Sequence, residues 1–92
     1  MSKQIVLDTL SRRTTRAMYS IYSEVGINDF TNHKDLLFVS TFDVASHVKE
    51  NTKKVEEVLS DLVIDGSVIR DGAEWRLKDI DPVISNFCAK FS

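Results

Sequence analysis

The sequence predicts a single, mostly α-helical domain with one small β-hairpin and a flanking helix at each end. Three observations predict it. Val55, Val58, Leu59, Leu62 and Val63 recur at i, i+3, i+4, i+7 and i+8, the spacing of one buried helical face. Gly66 follows as a stop, because a residue without a Cβ takes positive φ freely. Asp71-Gly72 then lies between Val68-Ile69 and Trp75/Leu77, a tight-turn signal between two β-prone runs.

The remaining elements follow in chain order. Thr14 to Val25 carries Ala17, Met18, Ile21, Tyr22 and Val25 on one stripe and closes at Gly26, so it reads as the first helix. Lys3 to Leu10 is also helix-compatible, either as a separate turn or as an extension of that helix. Gly26 to Asp35 is polar and turn-rich and reads as a loop. Leu36 to Val39 suits a short strand pairing with the hairpin. Ser40 is a good N-cap, with Asp43 three positions on, and Phe42, Ala45 and Val48 then recur at helical spacing. Lys49, Glu50 and Asn51 form a polar break, after which Thr52 can cap the next helix. Near the end, Asp81-Pro82 reads as an N-cap and first-turn proline, followed by a stripe of Val83, Ile84, Phe87, Cys88 and Phe91.

Helix, tight turn, longer helix, glycine stop and hairpin are the order of a winged helix-turn-helix. The chain resembles that superfamily through TFDVASHV as positioning helix, TKKVEEVLSDLVIDG as recognition helix and SVIRDGAEWRL as wing. The pattern of Ala45, Val55, Leu59, Leu62, Gly66, Val68, Trp75 and Leu77 is similar to many bacterial, archaeal and viral regulators, and names no one family among them. The resemblance implies one winged-helix domain over 1–92, with the helix-turn-helix at 40–66, the wing at 67–78 and a C-terminal helix at 82–91. It also implies a small transcriptional regulator that binds double-stranded DNA with the 52–65 helix in the major groove.

Composition bounds the alternatives. Ninety-two residues enclose one small core. No segment is long and apolar enough to span a membrane, and Ile5-Val6-Leu7 is interrupted at once by Asp8, unlike a secretory signal. The single Cys88 reads as a buried small hydrophobe in a reducing compartment, so the expected location is cytoplasmic. Catalysis finds no support. His33 and His47 lack partners at metal-ligand spacing, and neither a glycine-rich phosphate loop nor a nucleophile elbow is present. No enzyme activity, metal or cofactor is expected.

The formal net charge of −2 is a poor footprint for a DNA-binding protein unless the charge is segregated. Lys49, Lys53 and Lys54 cluster at the turn and the start of the second helix of the motif, Arg70, Arg76 and Lys78 lie on the wing, and Arg12, Arg13 and Arg16 precede or open the first helix. Together these can line one face and release counterions from phosphates. Steps of 100° put Lys53, Glu57 and Ser60 opposite the apolar stripe, with Lys54, Glu56 and Asp61 beside them. Glu57 is a candidate base reader, since a carboxylate accepts from the cytosine amino group, whereas Glu56 and Asp61 read as a solvated face. The candidate DNA contacts are therefore Lys49, Asn51, Thr52, Lys53, Lys54, Glu57, Ser60, Arg70 and Arg76. The wing is short, with Asp71 and Glu74 at its tip, and reaches at most a phosphate.

Two further expectations concern partners. The terminal helices either cover the core or pair two copies; Ile84, Phe87 and Phe91 are the candidate homodimer interface, because a twofold dimer doubles the contacts of one short reading helix. The acidic balance keeps a second function open. It is a winged helix that docks protein instead of DNA, as an adaptor or a phage- or plasmid-type modulator of a host regulator.

Overall fold

A computed structural model describes residues 1–90. Its elements run α1 (Lys3–Val25), a 3-10 turn (Lys34–Leu37), β1 (Val39–Ser40), α2 (Thr41–Val48), α3 (Thr52–Ile64), β2 (Val68–Asp71), β3 (Glu74–Leu77) and α4 (Asp81–Ala89). The chain is mostly helical, with one small three-stranded antiparallel sheet in the order β1-β3-β2.

α1 is the spine. Lys3–Leu10 and Thr14–Val25 form one continuous helix of 23 residues, capped by the Ser2 hydroxyl on the Ile5 N–H and closed by Gly26 at φ 73°. At 1.5 Å per residue it is about 35 Å long, close to the 37 Å longest dimension of the molecule. The polar stretch between the two expected pieces does not break it, and Thr14 just beyond it faces inward, its hydroxyl donating to the Leu10 carbonyl at 2.7 Å. Val6 and Leu10 enter one apolar cluster with Val44, Val55, Leu59, Leu62, Val68 and Trp75. Met18 enters a second with Phe30, Leu37, Ile80, Ile84 and Phe87. Leu77 at the end of β3 packs against both clusters.

The helical phase of α3 is as its periodicity predicts: Val55, Leu59 and Leu62 are fully buried, and Val58 and Val63 half-buried. Ser67 N–H reaches the Leu62 carbonyl and Gly66 N–H the Val63 carbonyl, so the stop at Gly66 (φ 82°) satisfies the last carbonyls of the helix. In the hairpin Asp71 pairs with Glu74, leaving a two-residue Gly72-Ala73 turn. β1 adds to the other edge of β3 through Val39↔Trp75, so the expected short strand exists but is confined to Val39–Ser40. Leu36 and Leu37 belong to the 3-10 turn.

Several local expectations are corrected. Asn51, not Thr52, caps α3, accepting from the Lys54 N–H at 2.8 Å; its short amide reaches back over the first turn while Thr52 already has helical geometry. α4 begins at Asp81 itself, with Ile80 in the cap position and no side-chain cap; Asp81 instead pairs with Lys34 at 2.9 Å. In α2 the buried stripe is Thr41, Val44, Ala45 and half-buried Val48, whereas Phe42 is 73% exposed. The helix starts one residue after the Ser40 cap, and that phase turns position 42 outward. Phe30, in the polar loop, is fully buried.

The expected dimer residues are corrected most sharply. Ile84 is 5% exposed and Phe87 1% exposed. Phe87 is boxed by Tyr19 (ring centroids 5.0 Å apart) and Phe30 (5.4 Å), both edge-on. These side chains are spent within their own chain and offer no area to a second copy. Phe91 lies outside the described residues.

Phe87→Ala removes the ring around which the second cluster is built. It is expected to cost about 3–5 kcal/mol, the usual loss for a buried phenylalanine, as a lower urea midpoint. An unchanged midpoint would mean that α4 is not part of the core.

Candidate nucleic-acid interface

The α2–α3 elbow concentrates the exposed cations predicted from sequence. α2 ends at Lys49, whose backbone is left-handed (φ 58°, ψ 43°) and whose N–H closes on the Ala45 carbonyl. Among the described residues Lys49 is the sole non-glycine with positive φ. Glu50 N–H also reaches the Ala45 carbonyl, at 3.2 Å, and Asn51 then opens α3. The turn is therefore tight, and it sets Lys49, Asn51, Thr52, Lys53 and Lys54 together on exposed positions. No carboxylate of the described residues pairs with Lys49 or Lys53, and Lys54 reaches Glu50 only at 3.9 Å. So weak an exposed pair leaves the ammonium free to turn to another anion.

Along the open side of α3, Lys53, Glu56, Glu57, Ser60 and Asp61 line one shallow depression. Ser60 is half-buried and the other four are exposed. The face is cationic at its N-terminal end and anionic beyond the first turn. Ile64, 82% exposed, finishes it. At the far end Asp65 accepts from Lys3 at 2.7 Å, and this hydrogen bond, helped by the nearby charges of Asp65 and Asp61, raises the Lys3 ammonium above its ordinary pKa.

The two hairpin arginines are not brought together. Arg70 pairs across the hairpin with Trp75, so both side chains share the inward face, whereas Arg76 lies opposite Ile69 on the other face. Arg70 is committed three times over. Its guanidinium stacks 4.6 Å from the Trp75 ring centroid, Nε donates to the Gly72 carbonyl at 2.7 Å, and Nη2 pairs with Glu56 of α3 at 3.0 Å. These contacts hold Arg70 between the hairpin and α3, away from the elbow lysines with which the sequence grouped it as a phosphate contact. Arg76 is half-buried, over the Phe38 ring at 5.5 Å. Arg13 is likewise held, donating to Asp43 at 2.9 Å and so tying α1 to α2. His47 turns back onto the same residue, its Nδ1 2.9 Å from the Asp43 carbonyl oxygen. Arg12 and Arg16 stay exposed on α1.

Comparison of the chain with protein-family models, with curated proteins and with solved structures finds no match in any of the three. The site therefore rests on its own geometry.

A lysine in the left-handed region costs about 1–2 kcal/mol relative to relaxed backbone, and glycine would avoid this strain while losing about 0.5–1 kcal/mol in unfolded-chain entropy. Lys49→Gly is therefore expected to raise stability, by up to about 1.5 kcal/mol by this difference. Equilibrium denaturation measures it, and a clear loss of stability would contradict the left-handed turn.

Proposed function

We propose that this chain is a winged helix-turn-helix protein that binds double-stranded DNA, acting as a small cytoplasmic transcriptional regulator with α3 directed at the major groove. The observation that carries the reading is the elbow: Lys49, Lys53 and Lys54 are exposed together at the entry to a helix whose outer side is largely open. Support for the fold comes from the element order, helix, strand, helix, helix, hairpin, with the first strand added to the edge of the hairpin. The cationic N-terminal turn of α3 suits contact with phosphates, which lysines neutralise with release of counterions. Asn51 and Thr52 add exposed polar groups at the same turn, and Ser60 lies farther along the helix. The wing contributes little, since its tip is Asp71 and Glu74 and Arg70 is internally bound. A reducing setting fits the lone Cys88, whose thiol lies 3.5 Å from the Asn28 carbonyl.

A second reading is favoured by one observation. Glu56, Glu57 and Asp61 make the greater part of the α3 face anionic, and Ile64 and Phe42 expose apolar area. A winged helix that docks a basic protein surface would present such a face. DNA binding remains the stronger reading because the lysines lie at the helix entry, where the backbone of a duplex is first met.

A shift assay on random duplex DNA over a salt series tests both readings. Binding with a steep salt dependence is expected for the parent. Lys53→Ala/Lys54→Ala should weaken binding and flatten the log–log salt slope by about one for each phosphate no longer neutralised. Arg70→Ala should leave that slope unchanged and lower stability instead. Absence of binding at low salt would pass the function to the protein-docking reading.

A further inference from the structure

We propose that Glu57 selects cytosine, so that the target is a duplex with a C·G pair whose cytosine amino group lies opposite this carboxylate. The inference rests on the DNA-binding reading and deepens it. The starting point is the fate of each carboxylate around α3. Glu56 is held by Arg70 at 3.0 Å, and Glu50 lies beside Lys54. Asp61 stands near the C-terminal end of the helix, where its charge acts on Lys3. Glu57 and Asp61 are both exposed and outside every ion pair among the described residues, and Glu57 is the one nearer the cationic entry of the helix. It also lies midway along the outer face, one turn beyond Lys53 and one turn before Ser60.

A carboxylate at that place is repelled by both phosphate backbones. It is tolerated in a groove only if it accepts a hydrogen bond there. The major groove offers two donors, the N4 amino group of cytosine and the N6 amino group of adenine. Adenine carries the N7 acceptor directly beside its donor, and that lone pair repels a carboxylate. Cytosine has no acceptor beside N4 on its own groove edge. The anion therefore prefers cytosine.

Lys53, one turn earlier on the same face, stays with the phosphate it is proposed to neutralise, and the carboxylate alone reads the base.

Selection of bound sequences from a random duplex pool, run at low salt with the parent, Glu57→Gln and Glu57→Ala, tests the inference. Position 57 is exposed, so both variants should fold; a thermal melt of each checks it. The parent is expected to enrich cytosine at one position, preferred on the order of ten-fold over other bases. Glu57→Gln should move that preference to adenine, whose N6 and N7 match an amide. Glu57→Ala should flatten the position while retaining, or gaining, affinity for the pool. Identical preferences in all three proteins would overturn the inference and leave DNA binding standing, as would retention of DNA with no enrichment by the parent. Failure of the parent to retain any duplex would defeat the DNA-binding reading itself, and the base assignment with it.

Discussion

Trp75 imposes the constraint on which the arrangement of the motif depends. Its ring is fully buried, so its indole N–H needs a partner inside the protein. Thr41 supplies it, accepting from Nε1 at 2.7 Å. The Thr41 hydroxyl in turn donates to the Ala73 carbonyl at 3.2 Å, and the Thr41 N–H reaches the same oxygen. One residue at the start of α2 is thereby tied to both the strand and the turn of the hairpin. The hairpin cannot swing away from α2 without leaving buried polar groups unsatisfied. Among the described residues no buried side-chain nitrogen or oxygen lacks a partner.

From that fixed hairpin the electrostatics of the exposed face follow. Because Trp75 is locked inward, its cross-strand partner Arg70 also lies on the inner side and covers the indole. The guanidinium then meets Glu56 on α3 and removes one anion from the helix face. Such an exposed pair contributes little to stability. Its consequence is distribution of charge: Glu57 and Asp61 are left as the carboxylates of this face outside every ion pair among the described residues, and the lysines at the elbow make no ion pair with the hairpin.

What was legible in the sequence was local. The phase of α3, the stop at Gly66 and the presence of a tight turn after Asp71 depend on residues a few positions apart, and each has a backbone or burial reason that spacing alone reveals. What escaped was decided across the chain. Phe30 reads as a loop residue until the gap beneath α1 and α4 is known, and then it is the filler of that gap. Phe87 and Ile84 read equally well as surface or core, because an apolar stripe does not say whose core it enters. Arg70 reads as a free cation because its carboxylate lies 14 residues away on another element. The candidate site divides the same way. The lysines of the elbow were visible as a cluster, whereas the commitment of both Arg13 and Arg70 to internal partners was not.

The left-handed Lys49 joins the fold and the proposed function. Nothing in the packing requires a side chain there: the residue is exposed, and a glycine meets the geometry at lower strain. Gly26, Gly66 and Gly72 occupy the other positive-φ positions among the described residues. Lysine at the fourth is therefore an exception to a rule this chain otherwise keeps. Strain that the fold does not need is commonly found where a side chain acts, and the charge of Lys49 is the property that glycine would remove. The ammonium stands beside Lys53 and Lys54 at the mouth of α3, so the strained turn and the free lysines argue for the same thing: a backbone shaped to hold positive charge at the point where the proposed helix would enter a groove.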